Sequence, residues 1–279
     1  MSVRIVTDSS SSIPADMAAA HQITVVPLNV QFGLESFEDG VTITPAAFAA
    51  RMRQGQLPTT SQPAPGVFAG FYKRLKGEAD AIISLHVMGT ASGTVATANL
   101  AKSLCPDQDI TVVDTGTVSM GIGFLALAAA RAASLGKAKD EILAMLEEAR
   151  SRVHVFAALP SVAQLVRGGR VTKGKGLLAS LLAIKPVLSL TGGAVEVVDK
   201  VRTFPRALDR VAELMEHTVG NRPVRAAVMH GHALEEAKAW FDGVCGRFSF
   251  SGEVLFAEAG AALMAHGGPG IIGLVAFEE

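Results

Sequence analysis

The sequence contains few aromatic residues, few cysteines and little charge. Aromatic side chains make up 5% of the 279 residues and charged side chains 18%, and the two cysteines are Cys105 and Cys245. Two cysteines that form no CxxC pair are too few for a disulfide framework, which fits the reducing cytoplasm, where we expect the protein to be located. The net charge of −1 gives no electrostatic reason to expect nucleic acid or an anionic membrane surface as a partner.

Long uninterrupted apolar runs are also missing, although the mean hydropathy of +0.36 is high for a soluble protein. The run at 124–130 ends at Arg131, and the run at 177–190 is interrupted by Lys185 and Pro186. Neither reaches the ~20 residues that a membrane-spanning helix needs. The N-terminal segment lacks the apolar core of a signal peptide, so we expect neither a membrane segment nor a secretory signal.

Aliphatic residues, in contrast, are abundant. Hydrophobic residues make up 49% of the sequence, which excludes extended disorder and provides for a large core. Because aromatic residues are scarce, the composition favours a roomy aliphatic interior, although the many alanines account for part of this excess.

The first half of the chain alternates predicted strands and helices. Short β-branched or apolar runs predict buried parallel strands at 3–7, 81–85 and 110–114. The segments between them predict helices, two of which begin at Pro45 and Pro65, where proline suits the first helical turn. This alternation predicts a parallel sheet covered by helices on both faces.

The second half has a different character. Runs at 186–190 and 195–202 on either side of Thr191-Gly192-Gly193 predict a β-hairpin, and therefore a mixed sheet. We accordingly expect a two-domain α/β protein. The predicted units are an N-terminal parallel-sheet α/β/α domain, residues 1–152, and a C-terminal α/β domain with a mixed sheet, residues 153–279.

Short hydroxyl side chains gather at the predicted ends of strands and starts of helices. Thr60 and Ser61 precede the helix at Pro65, Ser92 and Gly93 lie at a strand-to-helix turn, and the first strand ends in Thr7-Asp8-Ser9-Ser10. Helix starts present unpaired N–H groups, and open α/β sheets bind ligands at the carboxyl ends of their strands. Each segment alone also matches an ordinary helix cap. Their recurrence, with few Lys or Arg nearby, predicts a site for a carboxylate rather than a phosphate.

Two enzyme-like patterns lack features that their chemistry requires. The turn at 89–93 differs by one position from the nucleophile elbow G-x-S-x-G, and no His–Asp pair can be assigned from the sequence. The segment 169–176 nearly matches a P-loop, but Gly176 stands where a magnesium-binding hydroxyl is required and the preceding residues predict a helix. A basic loop that contacts phosphate and a merely solvated basic turn both remain open.

The histidines leave a similar choice. His266 precedes Gly267-Gly268-Pro269-Gly270, where backbone can approach a ligand closely and the imidazole can donate to it, although a lone loop histidine is more often exposed and inert. His230 and His232 have no accompanying cluster of carboxylate or cysteine ligands, so we assign no metal and no cofactor.

A series of motifs, in the same order along essentially the whole chain, resembles the DegV family. These motifs are Thr7-Asp8-Ser9, Leu57-Pro58-Thr59-Thr60-Ser61-Gln62-Pro63, Ser92-Gly93-Thr94, Val112-Val113-Asp114, Arg167-Gly168-Gly169-Arg170, Ile184-Lys185-Pro186-Val187-Leu188, Val201-Arg202 and His266-Gly267-Gly268-Pro269-Gly270.

The resemblance implies a long-chain fatty acid buried between two domains and no catalysis by the chain itself. The acid's carboxylate would be bound by Thr60, Ser61, Ser92 and the backbone of Gly93, with His266 nearby. The resemblance also implies a carrier that presents the acid to a separate dihydroxyacetone-kinase-like fatty acid kinase, which would form the acyl phosphate.

In such a carrier, Arg170 and Arg202 would contact the kinase or the phosphate. The chain departs from the family pattern at Met88-Gly89-Thr90-Ala91, where serines and a leucine are usual, and at Thr115, which replaces a serine. We expect the Thr90 hydroxyl to act as a substitute donor. The alternative function is a small-molecule phosphotransfer enzyme related to dihydroxyacetone kinases.

Overall fold

Three β-sheets organise the chain in the computed structural model, which describes residues 2–170 and 184–278. The first sheet is entirely parallel and has the strand order β2-β1-β6-β7. Its strands are Val3–Asp8 (β1), Ile23–Val26 (β2), Ala81–His86 (β6) and Asp109–Asp114 (β7). All six residues of β6 are buried, as expected for a central parallel strand covered on both faces.

The second sheet is small, antiparallel and was not predicted. Its order is β4-β3-β5, and its strands are Asn29–Phe32 (β3), Glu35–Glu38 (β4) and Pro58–Ser61 (β5). Strands β2 and β3 are separated by Pro27 and belong to different sheets. The break between them falls at this proline, since proline lacks the N–H that a continuing ladder needs.

The third sheet is mixed, as predicted, and has the order β10-β9-β8-β13-β11-β12. Its strands are Val153–Ala158 (β8), Lys185–Ser189 (β9), Glu196–Val201 (β10), Val224–His230 (β11), Leu255–Glu258 (β12) and Ile272–Glu278 (β13). The predicted hairpin between β9 and β10 is confirmed, and both Gly192 and Gly193 of its turn have positive φ angles.

Helices connect the strands. They are Ala15–Ala20 (α1), Pro45–Arg53 (α2), Pro65–Arg74 (α3), Thr94–Ser103 (α4), Met120–Ser134 (α5), Lys139–Arg150 (α6), Ala163–Gly168 (α7), Phe204–Val219 (α8), Leu234–Val244 (α9) and Ala261–Gly267 (α10). The predicted start of α2 is confirmed, because the Thr44 hydroxyl accepts from the Ala47 N–H at 3.2 Å and Pro45 occupies the first turn. Within the described residues, no helix is long and apolar enough to cross a membrane.

Helix α5 joins the parallel sheet to the mixed sheet. It packs on β1 on one side and on β13 on the other, and Phe124 stacks on Phe277 with ring centroids 6.2 Å apart. It begins only at Met120, because the Thr117 carbonyl accepts from the Met88 N–H and Ser119 has a φ of +58°. The core around α5 is thus continuous between the sheets, and the domain boundary at residue 153 stays a prediction.

Candidate functional site

A mostly aliphatic cavity lies between the parallel and mixed sheets. Strands β8, β9, β11 and β13 line it from one side, the residues after β1 and β6 from the other, and α10 closes part of the wall. Its aliphatic side chains include Val155, Leu188, Leu190, Val195, Leu263 and Val275. Its volume is about 140 Å³, close to that of a dry aliphatic cavity of ~150 Å³ that binds benzene. The cavity wall therefore suits an apolar ligand.

The polar groups of this cavity are few. They are Ser10, Thr60, Ser61, Gln62, Ser92, Ser119, Arg170 and His266. The fold thus brings together four residues that the sequence predicts for carboxylate binding, although they are far apart in the chain. The residues Thr60, Ser61, Ser92 and His266 all line this cavity. A cavity that is apolar except for a few hydroxyl donors is suited to an amphiphile with a small polar head.

Within the described part of the chain, one hydrogen bond directly joins two of these predicted residues, Thr60 and His266. The Thr60 hydroxyl oxygen lies 2.9 Å from His266 Nε2. The other ring nitrogen, Nδ1, is buried, has no hydrogen-bond partner among the described residues, and faces the backbone of Gly168 so closely that a side chain there would collide with it.

Burial lowers the pKa of His266 to about 4, with a smaller contribution from the positive charge of Arg170. The imidazole is therefore neutral at ordinary pH. Of its two neutral forms, the one with the proton on Nε2 avoids leaving a buried N–H at Nδ1 without an acceptor, which would cost about 1–3 kcal/mol. In that form Nε2 donates to Thr60, and the Thr60 proton remains free to donate into the cavity.

Thr60 and Ser61 do not lie at a helix start, and this part of the prediction was wrong. Both belong to β5, where Thr60 pairs with Val30, and α3 begins only at Pro65 with Ala64 as its cap residue. Short edge strands with hydroxyl residues and a proline resemble loops in sequence, which explains the error. The Ser61 oxygen accepts from Gln31 Nε2 at 3.0 Å, so its own proton is free to donate.

The second predicted segment does lie at a helix start. Gly93 is the cap residue of α4, and the Ser92 hydroxyl lies 2.8 Å from the Thr94 hydroxyl. Ser92 lines the cavity, whereas Gly93 does not. The side-chain amide of Gln62 covers Gly93 so closely that a Cβ at this position would lie 2.9 Å from Gln62 Nε2.

Thr90 does not supply the substitute donor that we expected. Its hydroxyl is exposed and donates to the carbonyl of Gly193 at 2.5 Å, in the turn between β9 and β10. The Gly193 N–H in turn donates to the carbonyl of Gly116 at 2.8 Å. The departure from the family pattern at Thr90 therefore fastens the hairpin to the loops of the parallel sheet.

The two predicted arginines lie in different places. Arg170 is partly buried, lines the cavity, and its Nε donates to the Ala91 carbonyl at 3.2 Å. Arg202 follows β10, is exposed and does not line the cavity. Most of the near P-loop, residues 171–176, lies outside the described residues.

Sequence reasoning missed a buried cluster beneath the site. We call Asp8, His86, Ser84 and Tyr72 the Asp8–His86 cluster; all four side chains are fully buried. His86 Nδ1 lies 2.9 Å from Asp8 Oδ2, His86 Nε2 lies 2.7 Å from the Ser84 hydroxyl, and Tyr72 donates to the same hydroxyl at 2.9 Å.

Ser84, His86 and Asp8 are hydrogen-bonded in the order of a hydrolase triad, but a substrate cannot reach the serine oxygen. Ser84 is fully buried, does not line the cavity and already accepts from Tyr72, so a substrate carbonyl has no path to its oxygen. The alternation of Ser84 and His86 in β6, which puts both on one face of the strand, was the signal that could have revealed the cluster.

No group of three or more His, Cys, Asp or Glu side chains suited to a metal ion occurs in the part of the chain that the structure describes. His232 Nδ1 lies 3.1 Å from Glu258, an ion pair at the surface, and His230 is turned toward the N–H of Ala233.

Comparison with known proteins places these features in a family. The profile of a family described as "Uncharacterised protein, DegV family" matches residues 2–279. A DegV domain-containing protein of Streptomyces coelicolor is 38% identical over 274 residues, which cover 98% of this chain and 97% of that protein. Protein DegV of Bacillus subtilis is 32% identical over 277 residues, 98% of each chain.

Two solved structures share the fold over their full lengths. A DegV family protein from Thermus thermophilus, described by its fatty acid binding, is 33% identical with a TM-score of 0.89 and 100% coverage of both chains. DegV from Bacillus subtilis, described as a fatty acid binding protein, is 31% identical with a TM-score of 0.90 and the same coverage.

Proposed function

The chain belongs to the DegV family, and from that premise we propose that it binds one long-chain fatty acid and presents the carboxylate to a separate kinase. The observation that carries this proposal is the composition of the cavity wall. Thr60, Ser61 and Ser92 bring hydroxyl groups to a cavity wall that is mostly aliphatic, and the neighbouring His266 is neutral.

The head group is held by donors rather than by an ion pair. Thr60 and Ser61 each keep a proton that can be donated, because their oxygens accept from His266 and Gln31 respectively. Ser92 and the backbone of Gly93 would complete the set once the Gln62 amide moves aside. A carboxylate prefers such charge-assisted hydrogen bonds, and Arg170 adds a positive charge at the wall.

The acyl chain contributes most of the affinity. Each buried methylene gains roughly 0.8 kcal/mol, so a chain of ~16 carbons gains much more than the head group can. The donors then position the carboxyl group rather than supply the binding energy. This division of labour explains why the wall needs no lysine.

The carrier role extends the proposal to a partner. We assign this chain no catalytic step; a dihydroxyacetone-kinase-like fatty acid kinase would form the acyl phosphate on the bound acid. Arg170 lies at the cavity wall where the phosphate would form, and the exposed Arg202 is available to the kinase. Phosphotransfer by this chain itself, the alternative suggested by the near P-loop, predicts that ATP with magnesium binds in calorimetry.

Lipid analysis tests the binding proposal most directly. Denaturation of the purified protein followed by extraction and mass spectrometry should release about one fatty acid per chain. A delipidated sample should then take up oleate or palmitate, and it should bind the corresponding fatty alcohol, which has no carboxylate, more weakly. A protein that yields no lipid and takes up neither acid does not have this function.

The variant Thr60→Val sharpens the head-group assignment. It keeps the side-chain shape but removes the hydroxyl, so we expect the affinity for oleate to fall by roughly 1.5–3 kcal/mol, the value of a hydrogen bond to a charged group. Thr59→Val is the matched control, because Thr59 is exposed in the same strand and its hydroxyl bonds to Gln31. Equal affinities of the two variants in a titration would remove Thr60 from the site.

The kinase proposal has its own measurement. With a kinase of the stated class, acyl-phosphate formation should depend on this chain and should decrease in Arg170→Ala. Turnover that is the same with and without the carrier contradicts the partnership while leaving fatty acid binding intact.

A further inference from the structure

Asp39 connects two parts of the site that are distant in sequence. It follows β4 directly and is 3% exposed. Its Oδ1 accepts from the Ala261 N–H at 2.7 Å and its Oδ2 from the Ala262 N–H at 3.3 Å, across 222 and 223 positions of the chain. We propose that Asp39 is a positioning residue for the carboxylate site. By holding the first turn of α10 against the sheet that carries Thr60, it sets the separation of Thr60 and His266.

The carboxylate sits at the junction of three segments. Besides the first turn of α10, Asp39 Oδ2 accepts from the Ser9 hydroxyl at 2.8 Å, and the Asp39 N–H donates to the Leu28 carbonyl at 2.9 Å. The Leu28 N–H donates back to the Ser9 oxygen at 3.0 Å. The turn after β1, the start of β3 and the start of α10 are therefore fixed to one another through one residue, Asp39.

Helix α10 transmits this constraint to the site. It has seven residues, with Ala261 at its first position and His266 in its last turn. Its apolar face shares a hydrophobic cluster with the small sheet and α2, through residues that include Val30, Phe32, Phe48, Ala261, Met264 and Ala265. A helix this short moves as a unit, so a shift of its first turn changes the 2.9 Å contact between His266 and Thr60.

Helix capping alone is a poor account of Asp39. The three donors to its carboxylate are neutral, no ion pair to it occurs within residues 2–170 and 184–278, and burial raises its pKa, so keeping it charged there carries a cost. A serine at the cap position would accept from an N–H group in the first turn of α10 without burying a charge. That position is Gly260, and a Cβ there would lie 2.6 Å from Asp39 Oδ2. Helix α10 thus has no side-chain cap of its own, and the Asp39 carboxylate, which follows β4 of the small sheet, occupies the space of one. This arrangement favours a role of Asp39 in joining α10 to the small sheet over a role as a helix cap alone.

This crowding supplies a test that separates the two roles. In Asp39→Ala the first turn of α10 loses its acceptor, and thermal stability should fall. In the double variant Asp39→Ala with Gly260→Ser, the collision at position 260 is gone, because Asp39 oxygens were the nearest atoms. The new serine can cap α10 locally, so the melting temperature should recover.

The inference rests on the proposed function, and it predicts that binding does not recover with stability. The affinity of the double variant for oleate should remain at least about tenfold below that of the wild type, as expected when a hydrogen bond to a charged group is misaligned. Wild-type affinity in the stabilised double variant would overturn the inference. Glu141→Ala is the matched control, because the Glu141 carboxylate accepts from the Ala138 N–H at the start of α6, away from the cavity, and alanine removes this acceptor. This variant should lower stability only.

A ligand-free measurement keeps this inference distinct from the function. In NMR titrations the pKa of the His266 ring, about 4 in the wild type, should rise toward 6.5 in the double variant as the ring loses its position. An unchanged value overturns the positioning role even if fatty acid binds. Failure of the wild type to bind any fatty acid would instead contradict the proposed function, and the ring titration would still decide about Asp39. If Asp39→Ala does not fold, Asp39→Asn, which keeps the shape and one acceptor oxygen, is judged by the same two readouts.

Discussion

His86 and His266 both turn a ring nitrogen away from solvent, but only His86 has all its hydrogen bonds made. Each nitrogen of His86 has a buried partner, Asp8 or Ser84, and the ring edge packs on Phe68 at 5.0 Å. His266 bonds to Thr60 through Nε2, and its buried Nδ1 faces the backbone of Gly168 without a hydrogen-bond partner among the described residues. A saturated buried network rigidifies the fold, whereas the contact between His266 and Thr60 leaves the Thr60 proton free for a ligand in the cavity.

The largest expected effect on stability comes from a substitution in the Asp8–His86 cluster. His86→Leu leaves the buried Asp8 carboxylate without its imidazole partner, and the loss of one member of a buried pair costs about 3–5 kcal/mol. Urea unfolding should show a decrease of this size in the free energy of unfolding. The affinity of the folded protein for oleate should stay within about threefold of the wild-type value. This change is smaller than the tenfold that a loss of 1.4 kcal/mol in binding free energy would produce.

The control for this prediction is a histidine pair at the surface. His232 and Glu258 form a 3.1 Å contact with side chains 39% and 37% exposed. Exposed pairs contribute about 0–1 kcal/mol, so His232→Asn, which tolerates the φ of +55° at this position, should have little effect on stability. Two outcomes would contradict the distinction between His86 as a stabilising residue and His266 as a residue of the binding site. In one, the His86→Leu protein is as stable as the control, and in the other it loses oleate binding without losing stability.

The second effect concerns the unsaturated region and its pH dependence. The pKa of His266 is about 4 in the folded protein, compared with about 6.5 in an unfolded chain. The folded state therefore binds fewer protons between these values, and the free energy of unfolding rises with pH across this window by ~3 kcal/mol, then stays constant above it.

The difference between the wild type and His266→Gln isolates this contribution, because Asp39 and the other carboxyl groups titrate in both proteins. Unfolding free energies measured from pH 4 to 8 should diverge between the two proteins below about pH 6.5. Parallel curves would mean that the His266 ring is protonated as easily in the folded state as in the unfolded state.

Local sequence patterns predicted most of the fold. The apolar run of β6, the Thr44-Pro45 start of α2 and the diglycine turn between β9 and β10 depend on neighbours in the chain, and all three were confirmed. The small antiparallel sheet was missed, because Glu35–Glu38 is polar and Pro58–Ser61 contains a proline and three hydroxyl residues.

The site was harder to predict, since its decisive contacts are long-range. Thr60 was selected from its motif, but the reason given, a helix start, was wrong, and its contact with His266 spans 206 positions. The pairing of Asp8 with His86 spans 78 positions, and the alternation of Ser84 and His86 in β6 indicates a shared face but not this partner. Motifs therefore selected candidate residues, and only the packing of β5 against α10 showed which of them are in contact.

The smallest expected effect tests how far the saturated network extends from His86. Tyr72 is fully buried in α3, and burial raises its pKa to about 12. Its hydroxyl donates to Ser84, whose oxygen also bonds to His86 at 2.7 Å, so Tyr72→Phe removes the outermost donor and leaves the Asp8–His86 contact in place. We expect a loss of about 1 kcal/mol in urea unfolding, the net value of one neutral hydrogen bond, and no change in oleate affinity. A loss of stability as large as that of His86→Leu would show that the hydrogen bonds between Tyr72, Ser84, His86 and Asp8 strengthen one another. A single hydroxyl at the end of this network contributes that much only if its removal weakens all the other hydrogen bonds of the network.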